Sequence, residues 1–269
     1  MAKNRPQIVL TNDDGIQSPG LWAAAQALSR LGFVTVAAPR EQSSGMGRSM
    51  PTTSDGIIRK LNVQVGEQEW EVHSIGGTPA QTILHAFLEI LKEPPDLVVS
   101  GINYGENLGN GVTASGTVGA ALEGASWGVP SLAVSLQTDP RYHLSYSEEI
   151  DFSTAAHFTY YFARLMLEKR LPDDVDVLKI DVPSDATPST AWTVTRQSKH
   201  PYYRTLRPER SDWDEPIRFG YELGYTIDEI TPDSDIYALQ IAKTVSVTPL
   251  SLDLTSRVAM DDLDRLLRK

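Results

Sequence analysis

The chain has 269 residues, of which 41% are hydrophobic and 22% charged, with a formal net charge of −11 and no cysteine. Such a composition suits a globular protein long enough to bury a core without disulfides. It excludes thiolate nucleophiles and zinc–thiolate sites. The negative balance, with no Lys/Arg cluster, argues against a nucleic-acid polymer as partner. No apolar run approaches the roughly 18 residues of a membrane span or forms a signal-peptide core. The expectation is therefore a cytoplasmic protein with no membrane partner.

Strand and helix signals alternate through the first two thirds. Ile8-Val9-Leu10-Thr11 reads as a buried strand. Ser18-Pro19 then offers a cap followed by proline at the first helical position, and Leu21, Ala24, Leu28 and Leu31 fall at helical spacing before Gly32. Phe33 to Ala38 predicts a second strand stopped by Pro39, and 40–53 a polar loop. Thr78-Pro79 repeats the cap–proline device ahead of an apolar stripe, Ile83, Leu84, Phe87, Leu88 and Leu91. Leu97-Val98-Val99 predicts a strand, 101–111 a glycine- and asparagine-rich loop, and Gly116 to Trp127 a helix of small residues. Ser131–Leu136 and Val175–Val182 predict further strands on either side of a long helix, Phe152–Lys169. After Pro183 the pattern becomes irregular: strands are expected near 190–196 and 244–248, a hairpin arm at 217–225, and a terminal helix at Met260–Leu267.

Alternating elements with near-continuous apolar strands predict an α/β fold, a three-layer, Rossmann-like, mostly parallel sheet. One domain spans 1–269. Its core covers about 6–183, and a C-terminal extension from about 184 packs on the sheet or on a partner subunit.

In such sheets ligands bind beyond the carboxyl ends of the strands. Three exits share one chemistry: Asn12-Asp13-Asp14-Gly15, then Arg40 to Gly45 with Gln42, Ser43 and Ser44, then Ser100 to Asn107 with Asn103. Two adjacent carboxylates among hydroxyls and side-chain amides, without histidine or cysteine, describe a site for a hard divalent cation. A cation also lets Asp13 and Asp14 stay ionised side by side. Ser115-Gly116-Thr117 opens a helix with exposed N–H groups, two hydroxyls and a glycine, which is an anion site. The Walker lysine and the GxGxxG pattern after the first strand are both absent, which disfavours ATP hydrolysis and dinucleotide binding. Each of the five histidines, taken singly, reads as structural or solvated, and no Ser–His–Asp arrangement emerges.

Five ordered motifs, TNDDGIQSPG, APREQSSG, GGTPA, PDLVVSGINYGENLG and SGTVGAALEG, with SVTPLSLDLT near the end, resemble the SurE (survival protein E) family of metal-dependent nucleotidases over Ile8 to Thr255. The resemblance implies a phosphomonoesterase that releases phosphate from nucleoside 5′- and often 3′-monophosphates with one divalent cation per subunit, Mg²⁺ or Mn²⁺. Carried over by motif, the metal ligands are Asp13, Asp14, Ser44 and Asn103, with Asp13 and Asp14 catalytic. Asn107, Ser115, Gly116 and Thr117 contact phosphate, and Asn12 lies beside the metal loop. Tyr104, Tyr202, Tyr203 and Trp213 are candidates to stack on a base, although isolated aromatics in loops are more often packing residues. The resemblance also implies a homodimer or homotetramer built through an exchanged C-terminal arm. The chain departs from the family pattern at Gln81, where an acid is usual, at Ala114, and at Pro51, where a threonine is usual.

Metal-activated water is the expected nucleophile, oriented or deprotonated by Asp13, with attack by Asp13 itself as the alternative. Competing readings are a non-enzymatic Mg²⁺-binding receiver domain and a broader acid phosphatase or exopolyphosphatase. A receiver needs an isolated aspartate after its third strand, where this chain has Ser100-Gly101-Ile102-Asn103. A haloacid-dehalogenase-like phosphatase needs aspartates two apart, whereas these are adjacent.

Overall fold

The computed structural model describes residues 5–65 and 67–268. At its centre lies β1 (Gln7–Thr11), flanked by two parallel neighbours, β2 (Phe33–Pro39) and β5 (Leu97–Tyr104). The register is tight: Leu10 lies opposite Val36 on one side and Val99 on the other. Side chains alternate across β1. Ile8 and Leu10 enter one apolar cluster and Val9 another, on the opposite face. A strand covered on both faces has no use for polar residues, which is why the run is continuously apolar.

Helices make the two outer layers. α1 (Pro19–Leu28) packs on α4 (Ser153–Glu168) over one face; α2 (Pro79–His85) packs on α3 (Gly116–Ser126) over the other. The sheet continues from β5 through β6 (Ser131–Leu136) and β7 (Val177–Val182), both parallel. At the opposite end a hairpin, β3 (Ile58–Val65) and β4 (Gln68–Ile75), pairs onto β2. This hairpin was not among the expected elements: β3 is charged and largely exposed, and its signal is the alternation of Leu61, Val63 and Val65 with polar residues instead of a continuous apolar run. The chain order, moving left from β1 to β2 and then returning right to β5, puts a switch point between β1 and β5.

The predicted cap–proline helices both form, with different chemistry. Ser18 stands at the N-cap position of α1 without a side-chain cap bond, and its buried hydroxyl has no partner. Thr78 builds a full capping box with Gln81. The apolar stripe behind it is interrupted. α2 passes into a π-helical turn at Ala86–Ile90, and the changed angular phase turns Leu88 out to 65% exposure. The expected loop at 101–111 begins later, since β5 runs to Tyr104.

The C-terminal extension is part of the sheet. β11 (Val245–Leu250) pairs antiparallel with β7, and β8 (Trp192–Val194) pairs parallel with β11 at the edge. A two-stranded hairpin of β9 (Tyr203–Thr205) and β10 (Tyr221–Leu223) stands apart from the sheet. A short helix, α5 (Asp235–Gln240), precedes β11, and α6 (Met260–Leu267) ends the described chain with no buried residue. Among the described residues no helix is long and apolar enough to cross a membrane.

Candidate active site

The exits of β1, β2 and β5 meet at the switch point. Asn12 makes a local turn rather than reaching outward: its Nδ2 donates to the Gly15 carbonyl at 3.0 Å and its Oδ1 accepts the Gly15 N–H at 3.2 Å. That turn presents the next two side chains to one place. Asp13 and Asp14 are both almost wholly buried, at 4% and 0% exposure.

Each carboxylate is held. Asp13 Oδ1 accepts the Thr117 hydroxyl at 2.5 Å. Asp14 Oδ2 accepts the Tyr104 N–H and its Oδ1 the Gln42 side-chain amide, both at 3.2 Å. Burial raises the pKa of Asp13, opposed by the Thr117 hydroxyl and the N–H groups of Thr117 and Gly116. Asp14 is pushed well above the usual carboxylate range by burial and then by the neighbouring Asp13 charge. Two buried acids that repel each other need a positive charge to stay ionised together. No lysine or arginine bonds to either of them among the interactions described.

The remaining loops close over this pair. The Ser43 N–H donates to the Asp13 carbonyl at 2.7 Å, and the Gly47 N–H to the Ala114 carbonyl at 2.9 Å. These tie the second exit to both the first and the start of α3, and leave Ser44 exposed between them. Gly119 permits the contact: a Cβ there would sit 2.2 Å from the Gly47 carbonyl oxygen. Asn103 donates its Nδ2 to the Gly105 carbonyl at 2.6 Å, which leaves its Oδ1 available as a ligand. No group of three or more His, Asp or Glu suited to a metal occurs among the described residues. A cation here would thus rest on Asp13, Asp14 and neutral oxygens, a donor set that fits a hard ion such as Mg²⁺ or Mn²⁺.

The start of α3 lies against the acids. Ser115 caps the helix, its Oγ accepting the Val118 N–H at 3.1 Å, and its own hydroxyl proton stays free to donate. Gly116 approaches so closely that a Cβ would be 2.7 Å from that of Asp13. Thr117, expected at phosphate, gives its hydroxyl to Asp13 instead. Asn107 follows Asn103 by four residues on the same strand exit, with Nδ2 on Ser135 Oγ and its backbone N–H on Asp181 Oδ1, both at 2.8 Å.

Gln42 and Asp181 were not singled out in sequence. Gln42 stands among several polar residues of the second exit, and nothing local distinguishes it from its neighbours. Asp181 carries a signal in its strand: Lys179 and Asp181 are two charges, two apart, in a segment otherwise reading Val-Leu-Ile-Val. Tyr104 is a packing residue, edge-to-face on Phe152 with centroids 4.8 Å apart. Gln81 and Pro51, two of the departures from the family pattern, meet: Gln81 Nε2 donates to the Pro51 carbonyl at 2.8 Å while its Oε1 accepts from Thr78 and Ser54. An acid at 81 would lack that donor, so this amide holds the loop after β2 onto α2.

The chain is similar to known proteins over most of its length. The family model described as survival protein SurE matches residues 8–204. The 5′-nucleotidase SurE of Thermococcus kodakarensis is 42% identical over 97% of this chain and 98% of its own. That of Archaeoglobus fulgidus is 40% identical over 95% of both chains. The crystal structure of the SurE protein from Aquifex aeolicus superposes with a TM-score of 0.76 at 32% identity, covering 97% of this chain and all of that one. Motif order, sheet topology and near end-to-end similarity lead to one conclusion: the chain belongs to the SurE family.

Proposed function

We propose that the protein is a 5′-nucleotidase, a phosphomonoesterase that hydrolyses nucleoside 5′-monophosphates to nucleoside and phosphate, dependent on a divalent cation, with 3′-monophosphates as further substrates. The relatives named as 5′-nucleotidases support the activity. The observation that carries the metal dependence is the pair of buried, mutually repelling carboxylates.

The residues divide the work. Asp13, Asp14, Ser44 and Asn103 would hold Mg²⁺ or Mn²⁺, which when bound supplies positive charge to the phosphoryl oxygens and lowers the pKa of water. Asn107 and the Ser115 hydroxyl would hold the phosphate for in-line attack, with Gly116 and Thr117 beside it at the start of α3, where their N–H groups also face the Asp13 carboxylate. Thr117 fixes the carboxylate of Asp13 through its hydroxyl, so Asp13 is oriented to accept a proton from the attacking water. Asp14 is fixed at both oxygens by Gln42 and Tyr104.

Asp13→Asn preserves shape and removes the charge. It is expected to abolish Mn²⁺-dependent phosphate release from nucleoside monophosphates while the far-ultraviolet circular dichroism stays that of the parent. Near-normal turnover would refute the assignment. The exposed apolar residues of the β9–β10 region and α6, among them Trp213 at 88%, Phe219 at 66% and Leu266 at 67%, support a homodimer or homotetramer joined through the C-terminal extension. Sedimentation as a single-chain species at micromolar concentration would refute that part of the reading.

A further inference from the structure

The turn that carries Asn107 is gripped from behind by three charged side chains with no exposure at all, Lys179, Asp181 and Asp235. Lys179 and Asp181 point to the same side of β7, two residues apart. Asp235 arrives from α5, more than fifty residues later in the chain. The Lys179 ammonium pairs with Asp181 Oδ2 and lies 3.4 Å from Asp235 Oδ2. The carboxylates use their other capacity on backbone. Asp181 Oδ1 accepts the Asn107 N–H at 2.8 Å, and Asp235 Oδ2 accepts the Gly109 N–H at 3.1 Å. Asp235 Oδ1 accepts the Ser198 and Ile236 N–H groups, each at 2.9 Å. Thus the two ends of the 107–109 turn hang on two acids, and one lysine sets the spacing between those acids.

The surroundings extend the same arrangement. The Tyr202 and Tyr203 hydroxyls both donate to Glu106 Oε1. The Asn110 N–H donates to the His200 carbonyl at 3.2 Å, and Gln197 Nε2 to the Gly109 carbonyl at 3.1 Å. Residues 106, 107, 109 and 110 are therefore each bonded to chain beyond residue 180. Desolvation pulls the ammonium of Lys179 down, and the two flanking carboxylates overcome it, so that its pKa is raised and its charge kept. A buried network of this kind is costly unless every member is bonded. Here one bond from each acid ends on the 107–109 turn, and two more from Asp235 hold Ser198 and Ile236.

We infer that Lys179, Asp181 and Asp235 are positioning residues that fix the 107–109 turn, and with it Asn107, for substrate phosphate, which makes the C-terminal extension part of the active-site framework. The inference rests on the assignment of Asn107 to phosphate.

The test uses the full-length, Mn²⁺-loaded enzyme and four variants. Asn107→Ala is the reference. Asp181→Ala removes the acceptor of the Asn107 N–H while Lys179 keeps Asp235. Lys179→Met leaves two acids without their cation. Lys179→Met/Asp181→Asn restores the network's net charge of −1 and retains an amide oxygen for the Asn107 N–H. Displacement of a positioned group by about 1 Å costs on the order of 100-fold in rate. Asp181→Ala and Lys179→Met are therefore expected to lower kcat/KM by about 10- to 100-fold and to weaken inhibition by inorganic phosphate, as Asn107→Ala does. The double variant is expected to recover most of the loss. Mn²⁺ affinity, measured by calorimetry on metal-free protein, is expected to be unchanged throughout, because Asp13, Asp14 and Ser44 sit on other strand exits and Asn103 is held by its own bond to the Gly105 carbonyl. Asp181→Ala and Lys179→Met that turn over normally, beside an impaired Asn107→Ala, would overturn this inference and leave the site assignment standing. Losses that track lowered Mn²⁺ affinity or thermal stability, without recovery in the double variant, would reduce the network to a structural role and overturn it as well. An inert Asn107→Ala would overturn the phosphate assignment and this inference together.

Discussion

Gly116→Ala sets two physical effects against each other at the point where α3 meets the acids. Helix propensity alone favours alanine over glycine by up to about 1 kcal/mol. Sterics oppose it. The new Cβ would lie 2.7 Å from the Asp13 Cβ and 2.9 Å from Asp13 Oδ2, about 0.7 Å short of the 3.4 Å at which ordinary contact begins. Asp13 has little freedom to retreat, since its carbonyl is bonded to the Ser43 N–H and its carboxylate to Thr117. Overpacking a fixed site costs about 1–3 kcal/mol, which outweighs the propensity gain. The variant should lose a few degrees in Tm, at about 2–4 °C per kcal/mol for a chain of this size. A carboxylate displaced by roughly half an ångström or more should lower kcat by about 10- to 100-fold. Phosphate release from a nucleoside 5′-monophosphate, followed colorimetrically with saturating Mn²⁺, reads the rate, and scanning calorimetry reads Tm. Gly111→Ala is the control, because a Cβ there meets nothing within 4 Å. If Gly116→Ala keeps the parent's kcat and gains stability, close approach to Asp13 is not what the glycine provides.

Two further outcomes follow from the same contacts. Thr117→Val keeps the side chain's shape and removes the donor to Asp13, leaving a buried acceptor short of a partner at a cost of about 1–3 kcal/mol; steady-state kinetics should show kcat reduced by about 10-fold, with Thr117→Ser close to the parent, and an unchanged Thr117→Val would refute the orienting role. The raised pKa values of Asp13 and Asp14 fix a sign for pH dependence. In the metal-free protein the folded state holds protons that the unfolded state has already released, so stability falls as pH rises from the ordinary carboxylate value through the raised folded values. A cation binds the ionised pair, so the Tm increase on adding Mn²⁺ should grow as pH rises above the ordinary carboxylate range. Differential scanning fluorimetry across that range checks it, and a metal shift that stays flat or shrinks with pH would contradict the site.

Much of the fold was legible because its determinants are local. The run Ile8-Val9-Leu10 forms a strand buried on both faces, and Thr78-Pro79 with Gln81 starts a helix through bonds spanning three residues. Ser131–Leu136 and Met260–Leu267 carry their predicted boundaries. The β3–β4 hairpin lacks the continuous apolar run by which the buried strands are legible, and only the alternation of Leu61, Val63 and Val65 and of Trp70 and Val72 with polar residues marks it. The place of Leu88 depended on a π turn that no periodicity announces.

By itself the sequence determined which side chains gather at the strand exits. Parallel β-α alternation forces the ends of β1, β2 and β5 to one edge, and NDDG, SSG and GIN ride there with them. What each residue does on arrival was decided by the tertiary structure alone. Thr117 and Asp13 are 104 positions apart, and only the packing of α3 on β5 and β6 turns the threonine's hydroxyl onto the acid. Asn107, Asp181 and Asp235 are likewise brought together through β7 and through α5, which packs on β11, the antiparallel neighbour of β7. A hydrogen bond depends on distances of a few tenths of an ångström, and those are set by the whole core.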